Sequence, residues 1–182
     1  GVAMHDSGDL LGAIGAYREC IRLDPNDPKS YSNLGIALRE AGDVPSAITA
    51  FKAVIDRDPE SAEAHFDLGN VMQAVGNIDA AIGSFEEAVF LAPETAVLHV
   101  HLAVVYLLRK RNEEAIASAK EAIWRNPLDP NADTAHGIVL LAQGDTTGGR
   151  MTLEDAVRHD PDRWEVSFRQ LFPNSSPTGP LD

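Results

Sequence analysis

A chain of 182 residues with 28 acidic and 15 basic side chains carries a net charge of −13, a field that repels phosphate backbones and anionic lipid headgroups. Its 44% hydrophobic content is enough for a sizeable core and excludes global disorder, while a single cysteine, Cys20, excludes an internal disulfide framework. No apolar run reaches the roughly 18 to 20 residues of a membrane span. With neither a signal peptide nor an initiator Met, the chain reads as a fragment or a processed product, expected in the cytoplasm, with the periplasm as the alternative.

Its organisation follows from one period. Pro25, Pro59, Pro93, Pro127 and Pro161 are each 34 residues apart. Gly8, Gly42, Gly76 and Gly144 share that period, with Lys110 in the missing place; so do Gly1, Gly35, Gly69 and Gly137, with Ala103 as the stand-in. A fixed internal period of this length decides the fold before local propensity does.

In chain order, residues 1–27 form a partial repeat that enters at Gly1, the counterpart of Gly35, so most of its first helix is absent. Residues 28–61 form the first full repeat. Tyr31, Leu34, Gly35 and Leu38 share one helical face, "AGD" at 41–43 makes a turn, and Ala47, Phe51 and Val54 share the face of a second helix. Pro59 stops that helix, because the residue before a proline is pushed out of the α region. Residues 62–95 repeat the pattern with His65, Leu68, Gly69, Met72, Gly76, Ala81, Phe85 and Ala88.

Residues 96–129 repeat it with His99, Leu102, Ala103, Tyr106, Ala115, Ala119 and Ala122. Their first helix, within "AVLHVHLAVVYLLRK", is apolar on every face and so needs cover on every face. Residues 130–163 are degenerate. Asp133 replaces an aromatic residue, and Gly148 and Gly149, each costing about 1 kcal/mol of helix propensity, predict fraying or close packing against Gly137. Residues 164–172 place Trp164, Phe168 and Leu171 on one face as a capping helix, and 173–182 read as a disordered tail. Neither helix of a pair can bury its stripe alone, so the pairs must stack.

At Tyr31, Leu34-Gly35, Leu38, Gly42, Ala47, Phe51, Val54 and Pro59 the chain resembles the tetratricopeptide repeat (TPR) family, and the likeness extends from residue 1 to about 163. The resemblance implies an all-α, right-handed α-solenoid of stacked antiparallel helix pairs with a C-terminal capping helix. It also implies a concave groove lined by the first helix of each pair. In that register the groove holds Lys29, Ser32, Asn33, Arg39, Phe66, Asp67, Asn70 and Gln73 at one end. At the other it holds Val97, Val100, His101, Val104, Leu107, Leu108, Ile138 and Leu141. Some TPR proteins clamp a C-terminal carboxylate with lysine, asparagine and arginine. The matching places here are Phe66, Asn70, His101, Asn131 and Ala135, one aligned asparagine and no cation, which argues against that role. The asparagine ladder of O-GlcNAc-transferase-like arrays begins at Asn33 but breaks at Asp67, His101 and Ala135.

Catalytic and metal chemistry find little support. His65 and His99 occupy an aromatic packing step, His136 replaces a core leucine, and no HExxH or CxxC spacing occurs, so no metal and no cofactor are expected. Cys20 fills the slot of Ala88 and Ala122 and is expected to be buried and inert. The pairs Glu86-Glu87 and Glu113-Glu114 read as solvated faces, "RKR" at 109–111 as a solvated turn, and "NSS" at 174–176 as a chance glycosylation match. The expected function is a non-enzymatic scaffold that holds a protein or an amphipathic helix in the groove, without nucleic acid and without membrane insertion. Self-association would use the apolar groove or the truncated N-terminal edge. The alternatives are a substrate-selecting arm of a larger enzyme, such as a glycosyltransferase, and a periplasmic or complex-assembly factor.

Overall fold

The computed structural model describes residues 9–127 and 131–172. Among them are ten helices and no strand, divided between two compact units, Gly1–Leu91 and Ala92–Asp182. The first unit holds α1 (Leu10–Leu23), α2 (Pro28–Glu40), α3 (Val44–Arg57), α4 (Ala62–Ala74) and α5 (Ile78–Leu91). The second holds α6 (Ala96–Leu108), α7 (Asn112–Arg125), α8 (Ala132–Ala142), α9 (Thr146–His159) and α10 (Pro161–Leu171). Consecutive helices pair within each unit: α2 with α3, α4 with α5, α6 with α7, and α8 with α9.

Part of the acidic excess is used at helix starts. Asp9, Asp27, Asp43 and Asp145 each accept hydrogen bonds from first-turn amides, and Ser61 does the same for α4. These bonds satisfy donors that a helix cannot pair internally, and the negative charge suits the positive end of the dipole. The turn between paired helices is equally regular. Asp43, Asn77, Arg111 and Asp145 donate their amides to the carbonyls of Leu38, Met72, Tyr106 and Leu140 at 2.9 to 3.0 Å. That closure needs a left-handed residue just before it. Gly42, Gly76 and Gly144 supply φ of 79°, 78° and 93°, whereas Lys110 must adopt 60° with a side chain.

The second glycine series has a different purpose. A Cβ on Gly35 or Gly69 would lie 2.7 or 2.5 Å from the ring of Phe51 or Phe85, sixteen residues onward, so the helices close by seating a ring on bare backbone. In the next repeat the ring has become Ala119 and the glycine has become Ala103, both at 0% exposure. Gly137 returns with Leu153, whose Cγ would lie 2.9 Å from the added carbon. A glycine thus stands where its partner position holds a large side chain, and an alanine where that position holds a small one.

His65 and His99 occupy the aromatic step and share one bond: their Nε2 groups donate to the carbonyls of Pro59 (3.1 Å) and Pro93 (2.8 Å). At the corresponding place Tyr31 lies under the Arg57 guanidinium, 4.0 Å from the ring centroid, and its hydroxyl accepts from Arg57 at 2.9 Å.

Two sequence expectations need correction. Cys20 is exposed, not buried. Its counterpart Val54 is buried on a helix whose last turn is tied to the start of α2 by Arg57, through Pro25 and Tyr31. His136 is also exposed, although its counterpart Leu102 is buried. An imidazole in water avoids the cost of desolvating two ring nitrogens.

The degenerate repeat resolves in favour of close packing. Helix α9 runs through Gly148 and Gly149, and a Cβ on Gly149 would meet the Gly137 carbonyl at 2.8 Å and Leu141 Cγ at 2.5 Å. The cap begins earlier than residue 164, since Pro161 is already its first residue. The 173–182 tail and its "NSS" lie outside the described residues, as does the side chain of Leu171.

Candidate partner-binding faces

The first helices present the residues expected to bind a partner, and the two units treat them differently. In the first unit Asn33 and Arg39 on α2, with Phe66 and Asn70 on α4, are half-buried, whereas Gln73 is 3% exposed and belongs to the interior. The Phe66 ring packs 5.8 Å from Phe85 at 48°, which anchors it to the core while part of it stays accessible. Asp67 is 8% exposed, with its Oδ1 3.7 Å from the Arg39 guanidinium. Burial pushes its carboxyl up to about 6; Arg39 opposes that shift and Glu63 adds to it. This face is therefore polar, aromatic at one point, and accessible.

In the second unit the expected apolar stripe is open only in part. Val100, Val104 and Ile138 are 1%, 0% and 0% exposed, and His101 is 6% exposed. Val97, Leu107, Leu108 and Leu141 are half-buried. Ten of the thirteen residues of α6 are buried, the environment its all-round apolar sequence demands. Much of the cover comes from the chain itself. Helix α10 packs on α9 and reaches α6, where the Trp164 ring lies 5.0 Å from the His101 ring. Trp164 and Phe168 are 2% and 1% exposed. The expectation of an exposed groove thus gives way in part, with the capping helix set against His101 on the face that the sequence register assigns to the groove.

Sequence reasoning missed two polar residues of this unit. Glu154 is 2% exposed and accepts a 2.8 Å bond from Arg150 Nε, although its counterparts Glu86 and Lys120 face solvent. Thr134 is fully buried, and its hydroxyl finds no hydrogen-bond partner among the described residues. Neither residue type stands out in a one-dimensional pattern. Arg125 was also passed over. It bonds Glu94 and Glu121, and these bonds hold the Glu94 carboxyl below its usual range.

In the first unit a hollow of about 550 Å³ opens among Ile55, His65, Leu68, Ala80, Gly83 and Ser84, with Lys52, Asp56 and Glu87 completing its lining. It exists because α5 carries small side chains there. Glu86, Glu87, Glu113 and Glu114 are all exposed, as are Arg109, Lys110 and Arg111. Among the described residues no cluster of three or more His, Cys, Asp or Glu could hold a metal ion, and no helix is long and apolar enough to cross a membrane.

A family model described as tetratricopeptide repeat matches residues 32–72 and 73–133, and a second, described as TPR repeat, matches residues 1–42. No curated protein sequence matches significantly. Among solved structures, one of MamA is 25% identical with a TM-score of 0.73, covering 87% of this chain and 93% of that one. TTC0263, a thermophilic TPR protein of Thermus thermophilus, is 20% identical with a TM-score of 0.65, covering 93% of each chain. YrrB, described as a TPR protein with an unusual peptide-binding site, is 16% identical with a TM-score of 0.68, covering 92% of this chain and 86% of that one.

Proposed function

Since this chain belongs to the tetratricopeptide repeat family, we propose that it is a non-catalytic scaffold that holds a protein or peptide partner against the faces of its first helices. The observation that carries this reading is the half-open face of α2 and α4. Asn33, Arg39, Phe66 and Asn70 remain accessible there, while the other sides of the same helices bury Leu34, Leu38, Leu68 and Val71. Amide groups that bond a peptide backbone, one cation and one ring anchored at its base form a surface suited to an extended or helical peptide. The peptide-binding site named for YrrB, a fold neighbour, is consistent with that use.

The test is a displayed random-peptide library selected on the intact chain. Peptides so obtained should bind Phe66→Ala/Asn70→Ala at least about tenfold more weakly, as expected for loss of a central aromatic contact, with an unchanged helical signal. Equal affinity for both proteins would place the partner elsewhere and end this assignment.

A further inference from the structure

The first helix α6 of the second unit already has an occupant. Helix α10 does not continue the repeat geometry. Four residues separate α1 from α2 and α3 from α4, whereas only Asp160 separates α9 from α10. The periodic proline, elsewhere a residue of the connecting turn, is here the first residue of the helix. That shortened junction turns α10 onto α9 and toward α6, with Trp164 and Phe168 directed inward and one helical turn apart. Its outer side carries the Glu165–Arg169 pair and the half-exposed Val166, so the helix is amphipathic in its own right.

The occupied face corresponds to the accessible one. Val100 and Val104 are the counterparts of Phe66 and Asn70, 34 residues earlier. In the first unit these positions are half-buried; in the second, where α10 reaches α6, they are 1% and 0% exposed. A helix held mainly by two rings and tethered by one residue can be replaced by another that brings the same rings.

We propose that α10 is a resident ligand, and that the second unit binds an amphipathic partner helix carrying tryptophan and phenylalanine four residues apart, in exchange for α10. This rests on the reading that first-helix faces hold partners. It adds the chemistry of one such partner and makes α10 a competitor that sets the affinity. Because the partner must displace a covalently attached helix, the intact chain binds more weakly than a chain whose own anchors are removed.

The probe is a fluorescently labelled peptide with the sequence of residues 160–172, titrated by anisotropy into two full-length chains. One is unaltered and the other carries Trp164→Ala/Phe168→Ala. The altered chain should bind the peptide at least about tenfold more tightly than the unaltered chain. The same peptide with both rings replaced by alanine should bind neither. No binding to the altered chain, or equal affinity for both, overturns the proposal.

Should the altered chain lose its helical signal, hydrogen exchange on the unaltered chain decides. Excess unlabelled peptide should accelerate exchange of the protein's own 161–171 amides, and no acceleration overturns the proposal. A concentration-dependent dimer of the unaltered chain that the peptide dissociates would assign the face to a second copy, and the partner-helix assignment would fall. Peptides lost on Phe66→Ala/Asn70→Ala report on the first unit alone, so either claim can fail without the other.

Discussion

The two units are built on the same 34-residue register yet solve two problems differently. In the first, each pair closes by seating a phenylalanine on a glycine, each turn uses a glycine at positive φ, and the first-helix face stays polar and accessible. In the second, one pair has alanine at both of these positions, one turn forces a lysine into the left-handed region, and the first-helix face is apolar and more deeply buried, with α10 reaching α6. Side-chain caps lean the same way: α1 to α4 each have one, whereas in the second unit α9 has one and α6, α7 and α8 have none. The comparison teaches that a repeat tolerates weak local signals where neighbouring helices supply burial, and needs strong ones where a face remains open.

The largest expected effect is on the cover of the second unit. Trp164→Ala should cost about 3 to 5 kcal/mol, read by hydrogen exchange as lost protection in α6 and α9 while α2 to α5 keep theirs. A uniform loss across both units would mean that they do not differ as described. Next comes the glycine–aromatic seat. Gly69→Ala should destabilise by about 2 to 3 kcal/mol, because Phe85 is fully buried and has nowhere to move. Ala103→Gly, the mirror change in the second unit, should cost only about 1 kcal/mol of helix propensity. Equal midpoints in urea for the two variants would break the contrast.

Asp67 sharpens the comparison through pH. Its carboxyl is raised to about 6 in the folded chain, above the ordinary 3.8, so between those values the folded state holds more protons than the unfolded state. Stability therefore falls as pH rises through that window. Asp67→Asn removes the loss and should stabilise the chain by about 2 kcal/mol near pH 7, with little difference near pH 4. Urea midpoints at the two pH values check this, and a variant less stable near pH 7 would show that the Arg39 contact outweighs the burial. The smallest effect is at the turn. Lys110→Gly should raise stability by about 1 kcal/mol, since the backbone there is left-handed at φ 60°. An unchanged melting temperature would show that the lysine is held there without strain.

Much of this was legible in the sequence. The prolines and glycines at one period carried the helix pairs and their turns, because each marks a backbone condition that few other residues meet. His65 and His99 were readable as packing residues for the same reason: they stand where Tyr31 stands. The face positions followed from register, and four of them, Asn33, Arg39, Phe66 and Asn70, are half-buried.

Whether a face is open was not legible, because that depends on what lies across it. Val100, Val104 and Ile138 hold the right register positions but are buried, and the cap, which turns at Asp160, sets Trp164 against His101 on the same α6. Cys20 and His136 failed likewise, because burial at a repeat position requires the neighbouring element as well as the position. By itself the sequence determined the period, the helices and the turns, all set within a single repeat by local backbone sterics. Only the tertiary structure decided which first-helix face is free and which is filled, because a helix with two buried rings can be satisfied by several surfaces and the length of its tether selects one.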